Sequence, residues 1–241
     1  MRRFIFSILS GLVLISAYAI DIDYSNDSKV AAELRIGMST RPTLDIEIGA
    51  SFRPFRYLGV NASLTYITPF NSRKNFIDSI PLYGDIYSSI DNYKEGGYNF
   101  IAKAGLQFTT PAVMLSKNEM GLSLRVSPGI TIPIPTNKSM SISHFKRYED
   151  ESLDELNEGK HYYIFDSKED VKNSGAKFCY WYVRSELVLE FEEQWEFTMG
   201  YTYSNFDLYG GCRNIKVNDH PLVIRDKKLH HTISLGLNFK F

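Results

Sequence analysis

From Val30 to the last residue, apolar side chains recur at every second position in eight separate runs. The final run, HHTISLGLNFKF, sets Ile233, Leu235, Leu237, Phe239 and Phe241 against Thr232, Ser234, Gly236, Asn238 and Lys240, and stops at a bare phenylalanine. A repeat of two is that of a strand with one apolar face, not of a helix. Chain termini normally fray into polar residues, because nothing offsets the entropy of ordering them. A terminus that is apolar to its last residue therefore reads as a strand in a wall.

The other seven runs cover residues 30–38, 43–52, 57–68, 98–109, 121–134, 177–191 and 195–204. In the first five the apolar residues hold even positions, as in Val30, Ala32, Leu34, Ile36 and Met38. After a long polar stretch they hold odd positions, as in Trp195, Phe197, Met199, Tyr201 and Tyr203. Aromatics make up 14% of the chain, and such residues favour pleated surfaces. Each run is close to the ~9 to 11 residues that a tilted membrane-spanning strand needs. The fold class this implies is all-β, an eight-stranded antiparallel transmembrane up-and-down β-barrel.

The connections alternate as such a barrel requires, short on one side and long on the other. The short set is RPFR around Arg53, TTPAVMLSKNEM from Thr109, and EEQ from Glu192. On the opposite side come STRP and three long stretches near 69–96, 135–174 and 205–228. These are far longer than hairpin turns and are expected to be extracellular loops.

The opening MRRFIFSILSGLVLISAYAID carries Arg2 and Arg3, an apolar run, and small residues at Ala17 and Ala19. That is the layout of a secretory signal peptide over 1–19, with cleavage expected after Ala19 and the barrel domain over 20–241. The run is shorter than the ~20 apolar residues of a spanning helix. The formal net charge is -1, so the chain lacks the basic footprint of a nucleic-acid-binding protein.

A soluble ligand-binding barrel would alternate too, but with its apolar face inward. The polar face decides between them. Gly37, Gly49, Gly59, Gly105, Gly129, Gly200 and Gly236 lie on it among Ser, Thr and Asn, which suits a crowded interior rather than a water-facing exterior. The same face carries Glu33, Asp45, Glu47, Glu186, Glu190 and Glu196 against Arg35, Lys103, Arg125, Arg184 and Lys240. These are expected to form a paired charge network that fills the lumen and leaves no open channel.

On the apolar face, Phe52, Phe108, Phe191, Trp195 and Phe241 fall near the inner ends, and Tyr66, Tyr98, Trp181, Tyr201 and Tyr203 near the outer ends, as two interfacial girdles. Pro128 lies inside the fifth run, where it cannot donate to a ladder, so a bulge is expected there. His231 falls on the lipid face, where it belongs only near the outer interface.

The signal, the eight alternating runs and the terminal aromatic with apolar residues back to Ile233 resemble the small Gram-negative outer-membrane β-barrel family, with its OmpA-like and OmpX-like members. The resemblance implies an outer-membrane location in contact with outer-membrane lipid. It also implies that Ile233, Leu235, Leu237, Phe239 and Phe241 are read by the barrel-insertion machinery, and that an extracellular ligand or envelope partner meets the long loops.

Chemistry is sparse. His144, His161 and His220 lie in the long connections without a metal-ligand spacing, so no catalytic residue, metal or cofactor is expected. His230 and Thr232 form a same-face pair that only weakly matches the His-x-Ser pair of lipid A deacylases. A catalytic site would show itself as a histidine bonded to both a hydroxyl and a carboxylate. Cys179 and Cys212 fall on the same side of the membrane, and either a disulfide or free thiols are open to them. The stretch from Glu149 to Glu158 is acidic and adjoins His161, Tyr162, Tyr163 and Phe165; it reads as a solvated surface or as a presented binding surface. The function expected is a non-enzymatic structural or surface-interaction role. The alternatives are a barrel component of a secretion or motility machine and a lipid-modifying enzyme.

Overall fold

The computed structural model describes residues 29–40, 43–69, 77–79, 86–90, 98–115, 120–136, 139–147, 163–172, 177–191, 194–211, 215–217, 220–221, 223–224 and 230–241. Ala19 and the signal segment, Cys212, and the acidic stretch 149–158 lie outside the described residues.

The first strands are β1 (Val30–Ser39), β2 (Thr43–Phe52), β3 (Leu58–Pro69), β4 (Ile77–Ser79) and β5 (Ile86–Ile90). They are followed by β6 (Phe100–Thr109), β7 (Val113–Met114), β8 (Met120–Ile134), β9 (Ser139–Arg147) and β10 (Tyr163–Lys172). The last are β11 (Tyr180–Phe191), β12 (Trp195–Ser204), β13 (Lys216–Val217), β14 (His220–Pro221), β15 (Val223–Ile224) and β16 (His230–Lys240).

Eight of these form a closed antiparallel ring in the order β11-β12-β16-β1-β2-β3-β6-β8, sealed by β8 against β11, with β7 as a short addition beside β8. Cross-strand partners must point the same way, so the two parities have to meet in phase. They do: Leu34 stands opposite Leu237 and Ile48, Leu237 opposite Phe197, and Leu124 opposite Leu187. Closure leaves no free edge, which is the condition for strands to cross a bilayer.

The barrel is inside out. Ile48 is 65% exposed and Ile233 64%, whereas Arg125 is 1% exposed and Glu196 fully buried. An apolar belt on this scale, if bathed in water, would forgo ~25 cal/mol for every Å² left uncovered. Hydrocarbon removes that cost, and the strand alternation is therefore a transmembrane one.

Three features depart from expectation. Pro128 causes no bulge, since the β8–β11 register runs unbroken through Val183 opposite Pro128. The missing donor is absorbed on the other side, where pairing with β6 lapses between Gly105 opposite Gly129 and Phe108 opposite Val126 and then resumes in the same register. Tyr98 does not join the outer girdle. It is 1% exposed and packs with Ile67, Ile101, Tyr180, Phe206 and Leu208 in a cluster at the outer mouth. The long connections are more than loops: β9 lies between β5 and β10 in a three-stranded sheet, and β15 pairs with β4.

The cluster at the mouth is a cap. Residues 205–211 turn back over the lumen, fastened by Trp181 N to Asn205 Oδ1 at 2.9 Å and by Tyr98 N to the Leu208 carbonyl at 2.9 Å. The Phe206 ring meets Tyr180 edge-on at 5.3 Å between centroids, and the Tyr98 hydroxyl donates to the Thr136 carbonyl at 2.7 Å.

Candidate functional site

The lumen holds two charge clusters that follow from register. Arg35 pairs across β1 and β2 with Glu47, and its Nη1 lies 2.6 Å from Glu33 Oε2 and 3.2 Å from Glu47 Oε1. Its Nε reaches across the lumen to Glu186 Oε1 at 2.8 Å. Glu47 also accepts from Arg184 Nη2 at 2.7 Å, from Lys103 Nζ at 2.7 Å and from the Thr65 hydroxyl at 3.1 Å. Glu47 is thus bonded from several sides, as a buried charge needs, while Glu186 is held by Arg35 through one oxygen.

Nearer the inner end a second cluster converges on Glu196. Arg125 Nη2 lies 2.6 Å away, Arg53 Nη2 2.8 Å and Lys240 Nζ 3.3 Å, and Asn238 Nδ2 donates at 2.9 Å. Glu190 sits at the rim, 3.5 Å from Lys240. Arg53 was not among the residues expected here, although it continues the inward parity of β2 into the RPFR turn. Asp45 stands apart from the arginines. It accepts from the Thr43 hydroxyl at 2.9 Å and the Thr232 hydroxyl at 3.2 Å, and lies 3.3 Å from His230 Nε2. The two clusters, roofed by the cap, occupy the interior of a barrel barely wider than its side chains.

His231 points outward at the upper end of β16, with its Nδ1 2.6 Å from the Tyr201 hydroxyl and its ring 5.0 Å from that of Tyr203. Trp181 with Tyr203 and Tyr66 with Phe100 continue the outer aromatic ring. Trp195 packs against Phe239, and Phe239 against Phe241, at the inner end. Ile233, Leu235, Leu237 and Phe241 all face outward and exposed. Cys179 is exposed just before β11.

Among the described residues, His144 meets the bonding pattern of a catalytic base. His144 Nδ1 lies 2.9 Å from Ser88 Oγ and its Nε2 3.3 Å from Glu169 Oε1. The burial order is the reverse of what acyl transfer needs. Ser88 is 1% exposed, whereas the Glu169 side chain is half exposed, so the would-be nucleophile is shut in and its acid is open to water. The three residues instead tie β5, β9 and β10 together through the middle strand.

That outer sheet ends on β10, where every residue from Tyr163 to Asp170 is exposed. Ile164 is 53% and Phe165 59% exposed. Lys146 donates to Asp166 at 2.9 Å, and that bond holds the Asp166 carboxyl below its ordinary range. Between Phe165 and Ser167 the register against β9 shifts by one residue, and β10 runs on through it.

No protein-family model matches the chain, and no curated protein matches it. Among solved structures it is similar to a de novo designed transmembrane β-barrel, at 7% identity over 90% of this chain and 98% of the other, with a TM-score of 0.41. The N-terminal β-barrel domain of Pseudomonas aeruginosa OprF is 10% identical over 89% and 98%, with a TM-score of 0.39. Neisserial surface protein A is 10% identical over 88% and 96%, with a TM-score of 0.37. Likeness at these scores adds nothing to what the strands themselves establish. By its closed ring, its outward apolar belt and its charged lumen, the chain is an eight-stranded antiparallel transmembrane β-barrel, the build shared by the small outer-membrane barrels.

Proposed function

We propose that this protein is a non-enzymatic integral barrel of a Gram-negative outer membrane, exported by a signal peptide cleaved after Ala19. Its working surface is the outer sheet β5-β9-β10, presented to an extracellular ligand or envelope partner. The observation that carries the reading is β10, a strand exposed from Tyr163 to Asp170 at the end of a sheet that lies outside the barrel wall. Loops and small sheets on such scaffolds are where binding residues concentrate. The filled lumen supports the same reading, since it leaves the outer surface as the part that can meet a partner. Strand β16 would carry the segment recognised during insertion, through Ile233, Leu235, Leu237, Phe239 and Phe241.

The test is amine labelling of intact cells with a membrane-impermeant biotin ester, followed by peptide mapping. Lys168 and Lys172 on β10 are expected to be labelled, and Lys103 in the lumen to be spared. Labelling of Lys168 and Lys172 only after lysis would place the sheet on the other side and reject the reading.

A further inference from the structure

We propose that the outer half of the barrel wall carries a seat for one phosphorylated outer-leaflet lipid, on the face formed by β12, β16 and β1. The proposal rests on the outer-membrane reading. On this face there is an open groove of about 980 Å³, walled by Leu34, Ile36, Met38, Phe197, Ile233 and Leu235. That volume is at the upper end of ordinary ligand pockets.

Gly37 and Gly236 face inward on the two strands beneath the groove. A Cβ on Gly37 would stand 2.7 Å from Thr232 Cγ2, and one on Gly236 2.8 Å from Arg35 Cγ. These contacts are with the adjacent strands of the same wall, so β12, β16 and β1 pack closely through the two glycines behind the groove. From Met38 opposite Ile233 to Leu34 opposite Leu237 the groove follows four residues of strand, roughly 13 Å at ~3.3 Å per residue.

The two ends of the groove differ in chemistry. Its inner length is apolar, while its outer end holds Thr40 and the hydrogen-bonded pair of Tyr201 and His231. If the Tyr201 hydroxyl donates to Nδ1, the His231 ring carries its proton on Nε2, which is a donor suited to a phosphate oxygen. A polar donor at the interface above an apolar channel of this length matches a lipid that enters with its chain downward and its head group at the membrane surface. A soluble apolar ligand would have no use for the donor.

The experiment is native mass spectrometry of the purified barrel in detergent, titrated with dimyristoyl phosphatidylglycerol and, separately, with dimyristoylglycerol. Leu235→Trp fills the groove, Leu106→Trp places the same ring on the lipid face of β6 as a control, and Tyr201→Phe removes the hydroxyl. Each variant is first checked for heat-modifiable migration. Wild type and Leu106→Trp are expected to hold one phosphatidylglycerol, and Leu235→Trp to bind about tenfold more weakly, the effect of displacing some two methylene groups from an apolar seat. Tyr201→Phe is expected to lose affinity for the phospholipid and not for the diacylglycerol. Equal binding by Leu235→Trp and Leu106→Trp, or no stoichiometric lipid on wild type, would overturn the seat while heat-modifiable migration left the barrel reading intact. A chain that is not heat-modifiable would reject the barrel reading itself.

Discussion

The Tyr182 hydroxyl lies 3.3 Å from Asn61 Oδ1, a residue 121 positions away in the chain, and its ring reaches there by crossing two glycines. Gly129 and Gly105 stand opposite each other on β8 and β6, and a Cβ on either would come within 2.7 Å of the Tyr182 side chain. Four strands are thus bridged by one side chain, and the glycines exist to let it pass.

Overpacking should therefore cost more than losing the hydroxyl. Gly129→Ala is expected to destabilise the barrel by about 1–3 kcal/mol. Tyr182→Phe should cost only about 0.5–1.5 kcal/mol, the worth of one hydrogen bond. Urea unfolding in lipid vesicles ranks the two, and the opposite order would mean that both the Tyr182 ring and the Ala104 carbonyl, which a Cβ on Gly129 would also meet, give way freely.

Glu196 is the carboxylate that Arg53, Arg125 and Lys240 share. Glu196→Gln leaves these cations without their shared partner and is expected to cost about 3–5 kcal/mol, as when any buried pair loses one member. Glu190→Gln, at the half-open rim, should fall within about 1 kcal/mol of wild type. Guanidinium unfolding of the two variants side by side checks the contrast.

The strand alternation, the inward glycines and the lumen charges are legible in the sequence because period two forces every second residue to the same face. Arg35 and Glu186 could be placed inside without knowing that they touch. What escapes is contact without periodicity. Tyr98 has the parity of a lipid-facing residue, yet it lies just before β6 and turns over the mouth, where Phe206 and Leu208 meet it through a chain segment that has no repeat. The joining of β5 to β9 and β10 was equally hidden, because it depends on pairing between separate connections. Pro128 misled for a different reason: a ladder can lose bonds on one side and keep its register.

The cap and the charge clusters block the lumen independently. Phe206→Ala is expected to destabilise by about 3–5 kcal/mol, as for other buried aromatic truncations, without opening a pore. In planar bilayers neither wild type nor Phe206→Ala should show stepwise ion conductance. Discrete openings in the variant alone would make the cap the gate and the clusters porous.

His144 holds the outer sheet and has no part in the wall. His144→Ala should raise trypsin cleavage within 139–172 on intact cells and leave heat-modifiable migration unchanged. Loss of that migration would show that the outer sheet and the barrel fold as one unit.

The central claim is the inside-out wall, and β16 tests it most directly. Nitroxide labels placed singly at Ile233, Ser234, Leu235, Gly236 and Leu237, in a background with both cysteines replaced by serine, report collision with oxygen in the bilayer and with a water-soluble nickel chelate. Oxygen collision is expected to be high at residues 233, 235 and 237 and low at 234 and 236. High chelate collision at 233, 235 and 237 would mean that the apolar belt faces water, and would contradict the transmembrane barrel.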